Sequence, residues 1–235
     1  MKKVLFVLIF MMFTSFDVHA TWSMIAVDRE TGEIGIAGAS CTFDVQGIAS
    51  LVPDKGAIVV QASSNYFARM KGVELMKKNA PAEQILEAMR HEKFEPEKQQ
   101  YGVISINEKT KPLVSSGKHI KGWSGSMVEN NFAVLGNILV GDSVISKAHK
   151  ALMNSKDQQL PKRLMLALKA GESEGGDRRC GTQYARSAFI SVFRPNSGSI
   201  LKLSVYGIEP GGQPAVTLLS EQFEKLNKNE GVKKQ

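Results

Sequence analysis

Thr21 stands directly after a small-residue segment, Val18-His19-Ala20, in the stretch "DVHATWSMIAVD". A threonine hydroxyl is a weak nucleophile unless a base sits beside it. A threonine at the start of a chain carries such a base, its own α-amino group. That amine ordinarily titrates at about 7.7–8.0, near working pH, so it can take up the proton the hydroxyl loses. A cut after Ala20 would therefore create the chemistry of acyl transfer from an amide, with Thr21 as nucleophile. Without that cut, Thr21 is one more strand residue.

Other polar residues gather where apolar runs end. Ser40 and Cys41 close one run, Gln61, Ser63 and Asn65 follow another, and Gly136-Asn137 ends a third. If these runs are strands of sheets stacked in register, their ends converge. Asn137 could then donate to an oxyanion, and Ser40, Gln61, Ser63 and Asn65 could bind substrate. The plainer alternative is that Ser, Asn and Gly simply cap strands and begin turns. The segment "GGDRRCGTQ" adds Asp177, Arg178, Arg179 and Gln183 after two flexible glycines. Asp177 is placed to orient the terminal amine, and Arg178 and Gln183 to bind substrate, the arginine by gripping a carboxylate with two parallel hydrogen bonds. Read without a site, the same segment is an exposed charged loop.

Cys41 and Cys180 have two readings, a disulfide or two free thiols bordering a pocket, and their separation in the sequence does not choose between them. Neither has a CxxC partner, and His91, His119 and His149 fall in no metal-ligand spacing, so no metal site is expected. No GxSxG elbow, P-loop or dinucleotide-binding glycine pattern is present, and no cofactor is expected. The formal net charge of +7 is spread over a chain with 7% aromatic residues that are not interleaved with lysines, a poor footprint for nucleic acid.

Residues 1–20 read as a secretory leader: Lys2 and Lys3, an apolar run from Val4 to Phe13, then a polar segment ending in Ala20. That run is too short to span a bilayer of roughly 30 Å, and no later run is longer, so no membrane span is expected after processing. The expected destination is the periplasm or the medium. Processing would remove Lys2, Lys3 and Asp17 and lower the formal charge from +7 to +6. Residues 21–227 read as one domain and 228–235, which carry "KNEGVKKQ", as a charged flexible tail.

The elements that must position these residues follow from periodicity. "WSMIAV" and "IGIAGAS" form a hairpin, and "AIVVQAS" is an uninterrupted apolar run that reads as a strand covered on both faces. Two helices come next, the second starting at Pro81, then strands from Tyr101, near Pro112 and over Asn131–Asn137. A second helix pair starts at Asp142, read as its cap, and at Leu160. The hairpin of "SAFISVFR" and "LKLSVYG" precedes a last helix with Leu219, Phe223 and Leu226 on one stripe. Strands grouped between helix pairs predict an α+β fold of two stacked, mainly antiparallel sheets flanked by helices, a four-layer αββα sandwich.

The blocks "TWSMIAVDRETGEIGIAGASC", "GAIVVQASSN", "GNILVG" and "AGESEGGDRRCGTQYARSAFISV" resemble the bacterial family called domain of unknown function 1028, which is grouped with the N-terminal nucleophile (Ntn) hydrolases. The resemblance spans Thr21 to about Leu226. It implies the same αββα sandwich and points to Thr21 as the terminal nucleophile. The expected function is an exported amidohydrolase acting on a small-molecule or peptide-like amide. The alternative is a non-catalytic protein that binds a small ligand or cell-wall fragment around Gln61, Asn137 and Arg178. The oligomeric state, homo-oligomer included, is left open.

Overall fold

The computed structural model describes residues 20–139 and 141–232, so the expected leader up to His19 and the last residues of the expected tail lie outside the described residues. Ten strands and five α-helices alternate in groups. The first group is β1 (Thr21–Val27), β2 (Ile34–Ser40), β3 (Ala49–Val52) and β4 (Gly56–Ala62), followed by α1 (Tyr66–Lys77) and α2 (Ala82–Met89). The second is β5 (Gln99–Ser105), β6 (Leu113–Ser116), β7 (Trp123–Glu129) and β8 (Phe132–Leu139), followed by α3 (Ser143–Asn154) and α4 (Leu160–Ser173). The hairpin of β9 (Ser187–Arg194) and β10 (Ser199–Val205) leads into α5 (Ala215–Val232). This last helix continues into the charged segment that composition assigns to a tail.

All pairings are antiparallel. Six strands form one sheet in the order β10-β9-β2-β1-β8-β7, and four form the other in the order β3-β4-β5-β6. Side chains of a strand alternate between faces, and the core divides accordingly. Ile25, Ile36, Leu135 and Phe189 of the larger sheet meet Val59 and Ile104 of the smaller one. The opposite face of the larger sheet, with Trp22 and Met24, packs under α3, α4 and α5. The outer face of the smaller sheet, with Ile58 and Val60, packs under α1 and α2. The fold is therefore α+β with two antiparallel sheets, in a packing order compatible with a four-layer sandwich. β1, β2 and β4 are buried along their whole length, as expected for strands covered on both faces.

Two strands and one cap depart from expectation. β7, "WSGSMVE", is a half-exposed edge strand and β3 a four-residue strand, both in segments where the periodicity predicts none. Asp142 does stand at the start of α3, but its side chain makes no capping hydrogen bond. Among the described residues no helix is long and apolar enough to cross a membrane.

Candidate functional site

β1 runs through the middle of the larger sheet, with Thr21 opposite Ser40 of β2 on one side and Asn137 of β8 on the other. Parity then decides where side chains point. Thr21 and Ser23 share a face with Ile25, Ser40 with Ile36, Asn137 with Leu135, Gln61 with Val59, and Gln100 with Ile104. All those apolar partners lie between the sheets. The polar residues therefore form one end of the inter-sheet layer, where Ser23, Ser40, Gln61, Gln100 and Asn137 are fully buried and Thr21 is 1% exposed.

Burial on this scale calls for hydrogen bonds, and Ser23, Gln61 and Gln100 form a chain of them. Ser23 Oγ donates to Gln61 Oε1 at 2.6 Å, Gln61 Nε2 to Gln100 Oε1 at 2.7 Å, and Gln100 Nε2 to Ser116 Oγ at 2.9 Å and to the Gly125 carbonyl at 3.1 Å. The relay starts in the larger sheet, crosses the smaller one and returns to β7. Because each glutamine amide is engaged at both ends, its orientation is settled by its neighbours.

A second set of contacts surrounds the peptide bond just before Thr21. The Ala20 carbonyl accepts from Ser40 Oγ at 2.6 Å and from Arg179 Nη2 at 3.1 Å. Asp177, fully buried, holds that arginine at two points, Oδ1 to Nε at 3.0 Å and Oδ2 to Nη2 at 2.5 Å. It also accepts from the Cys41 N–H at 2.7 Å and the Arg179 N–H at 3.1 Å. Cys41 and Cys180 form a disulfide, Cα to Cα 5.7 Å, which ties the end of β2 to the loop carrying Asp177 and Arg179. Gly176 brings that loop onto β1. Its φ of +45° suits glycine, and a Cβ there would meet the Trp22 ring at 2.8 Å.

The backbone turns sharply just past two of these residues. Ala62 follows Gln61 at φ +68°, and Ile138 follows Asn137 at φ +60°, a left-handed conformation rare for a β-branched residue. Such conformations cost roughly 1–3 kcal/mol each and persist where surrounding structure enforces them.

The expected site residues thus divide. Ser40 and Asn137 stand beside Thr21, Gln61 bonds Ser23 two residues along, and Asp177 holds Arg179, whose contact is the Ala20 carbonyl rather than Thr21. Ser63 is exposed, with its N–H on the Lys98 carbonyl. Asn65 caps α1 by accepting from the Ala68 N–H. Gln183 uses its amide on the Glu209 carbonyl and the Gly211 N–H, and so holds the loop before α5. Arg178 and Arg179 are both exposed residues, and it is Arg179 that contacts Asp177 and the Ala20 carbonyl. Two contributors lie outside the sequence expectation, Ser23 and Gln100, and of the two loop arginines it is Arg179 rather than Arg178 that makes the contacts. Counting by twos back from Ile25 finds Ser23. Gln100 falls one residue before the point where the apolar strand pattern begins.

One strongly shifted acid, Tyr101, is not part of this site. Burial pushes the Tyr101 phenol up to about 12, but its ring packs on the far face of β5 with the residues under α1 and α2. Among the described residues no cluster of His, Cys, Asp and Glu is placed to hold a metal. A cavity of about 430 Å³ lies at the other end of β1, bordered by Asp28, Arg29, Glu129 and Arg163, and Thr21 does not line it.

The model of the family described as "Family of unknown function (DUF1028)" matches residues 21–211. Among curated proteins, none matches the chain. The crystal structure of protein SPO2555 from Silicibacter pomeroyi, itself assigned to that family model, is similar over 88% of each chain at 20% identity with a TM-score of 0.74. That likeness is one of fold.

Proposed function

We propose, from the premise that the chain belongs to the family of unknown function DUF1028, that it is an exported amidohydrolase of the N-terminal nucleophile type, unmasked when residues 1–20 are removed. The observation that carries this reading is the position of Thr21, at the polar end of a central strand, flanked by Ser40 and Asn137. The family match also begins at Thr21. The layer order, sheets facing each other with helices outside, suits an Ntn-type sandwich.

In this mechanism Thr21 Oγ1 attacks the amide carbon while the Thr21 amine takes the hydroxyl proton. The oxyanion is held by Asn137 or a main-chain N–H. Collapse breaks the C–N bond, and the amine passes its proton to the leaving nitrogen. Water, deprotonated by the same amine, then cleaves the ester and restores Thr21. The leader and the periplasmic or extracellular destination belong to the same proposal, because only processing supplies the base.

The test is Thr21→Ala in a protein whose terminus is verified by mass. Hydrolysis of amide substrates by the processed wild type should fall by at least about a thousandfold in the variant, the scale expected for removing a nucleophile. Equal turnover in the two proteins rules the mechanism out. Saturable ligand binding without turnover, unaffected by blocking the terminal amine, favours a binding protein instead.

A further inference from the structure

The strongest feature that this mechanism does not use is the setting of Ala20. Its carbonyl has two side-chain donors, Ser40 Oγ at 2.6 Å and Arg179 Nη2 at 3.1 Å. The residue itself is fully buried. The donors are fixed in turn: Ser40 Oγ also accepts from the Thr42 N–H at 3.3 Å, Arg179 is gripped by buried Asp177, and the disulfide joins both sides. The Arg179 side chain is 30% exposed, so the enclosure opens to solvent on that side.

We propose that Ser40 and Arg179 form a receptor for the carbonyl end of an alanine-sized residue, and that Ala20 is its first occupant. The proposal rests on the Thr21 reading for its catalytic half. There, Ser40 and Arg179 hold the scissile carbonyl in the bound substrate, beside the Asn137 or main-chain donor that holds the oxyanion, and the substrate class is peptides and related amides whose scissile carbonyl belongs to a small residue.

Charge favours the product as well. Asp177 and Arg179 are a compensated pair, and the uncut peptide is neutral. Hydrolysis adds OH to the carbonyl carbon and H to the Thr21 nitrogen, which leaves a carboxylate on the departing residue and an ammonium on Thr21. A C-terminal carboxylate then faces Arg179, the Ser40 hydroxyl and a new cation, with charge-assisted hydrogen bonds available. Size follows from the occupant, an alanine that is fully buried where it sits, since extra methylenes forced into packed surroundings are costly.

The test is titration calorimetry of N-acetyl-L-alanine into the processed protein, whose chain starts at Thr21, with N-acetyl-L-leucine as the size control. Saturable binding is expected for the alanine probe, at least about tenfold weaker for the leucine probe. A chain that begins at Ala20 should not bind, because its own carbonyl fills the receptor. Ser40→Ala, which removes one oxygen and little volume, should weaken the alanine probe about tenfold while melting within a few degrees of wild type. Arg179→Lys should weaken it further. No saturation by about 20 mM probe, equal binding by the chain that keeps Ala20, or unchanged affinity in Ser40→Ala overturns the proposal. Failure of the Thr21 reading shows separately, as turnover that survives Thr21→Ala.

Discussion

The two ends of the layer between the sheets are built from the same strands and settle burial in opposite ways. At one end Ile25, Ile36, Val59, Ile104 and Leu135 pack without a polar atom among their side chains. At the other, two to four residues further along those strands, Ser23, Ser40, Gln61, Gln100 and Asn137 are just as buried. The apolar end is stabilised by removing surface from water at about 25 cal/mol per Å² and tolerates imprecise directions. The polar end contributes little net energy per hydrogen bond, about 1 kcal/mol, but loses the full desolvation cost of any partner left alone. Stability therefore resides at one end and directional specificity at the other, and a site that must orient a carbonyl belongs at the second.

Three measurements can break or sharpen that contrast. The largest effect should come from replacing Cys41 and Cys180 by serine, because the disulfide closes a loop over a separation of 139 residues. The chain-entropy relation puts its contribution at about 4–5 kcal/mol. A fall in melting temperature on the order of 10 °C is expected. If the loop carrying Arg179 docks through this bridge, hydrogen exchange should quicken around Asp177 and Ser40 more than around Ile36. Uniform quickening would mean that the two ends are not separable.

Next comes a matched pair of substitutions. Leu135→Ala at the apolar end should cost about 3 kcal/mol, through lost transfer energy and a cavity. Gln61→Leu at the polar end, of similar volume, should cost about 2 kcal/mol, because it strands Ser23 Oγ and Gln100 Oε1. Adding Ser23→Ala to Gln61→Leu should then cost less than either change would suggest alone, since the stranded hydroxyl is gone. Strict additivity in chemical denaturation would show that the relay is not a unit.

The smallest effect is a titration at the rim of the apolar end. Burial raises the Glu33 carboxyl above its ordinary 4.5, more than Arg194 lowers it. A raised carboxyl binds its proton more tightly in the folded chain, so its contribution is present at low pH and is lost as pH climbs from 4.5 through the raised value. Glu33→Gln should flatten that part of the stability profile and leave the profile below it unchanged. A steeper profile in the variant would reverse the assignment.

Much of the scaffold was legible because continuous apolar runs such as "GAIVVQA" have few alternatives to a strand covered on both faces. β7 was not, since an edge strand with both faces half-exposed carries no alternation in "WSGSMVE". For the site, parity along β1, β2 and β8 suffices to bring Thr21, Ser40 and Asn137 together once the sheets are known to stack. The loop was harder to read. Two adjacent arginines differ only in which one the chain turns inward, and that depends on Gly176 against Trp22 and on a cysteine pairing whose spacing along the chain says nothing of distance. Asn65 and Gln183 show the converse, since the residue types that bind substrates also cap helices and hold loops.

The enclosure of Ala20 also sets an order of events. The peptide bond between Ala20 and Thr21 lies where a strand is already paired on both edges, and both residues are almost wholly hidden. A peptidase must draw several residues of extended chain into its own cleft, which a finished sheet does not release. If the chain is processed as proposed, cutting has to precede closure of β8 onto β1, a pairing that waits for more than a hundred further residues of chain. Under that proposal, a molecule that folds before it is cut keeps Ala20 in place, and its maturation stops there.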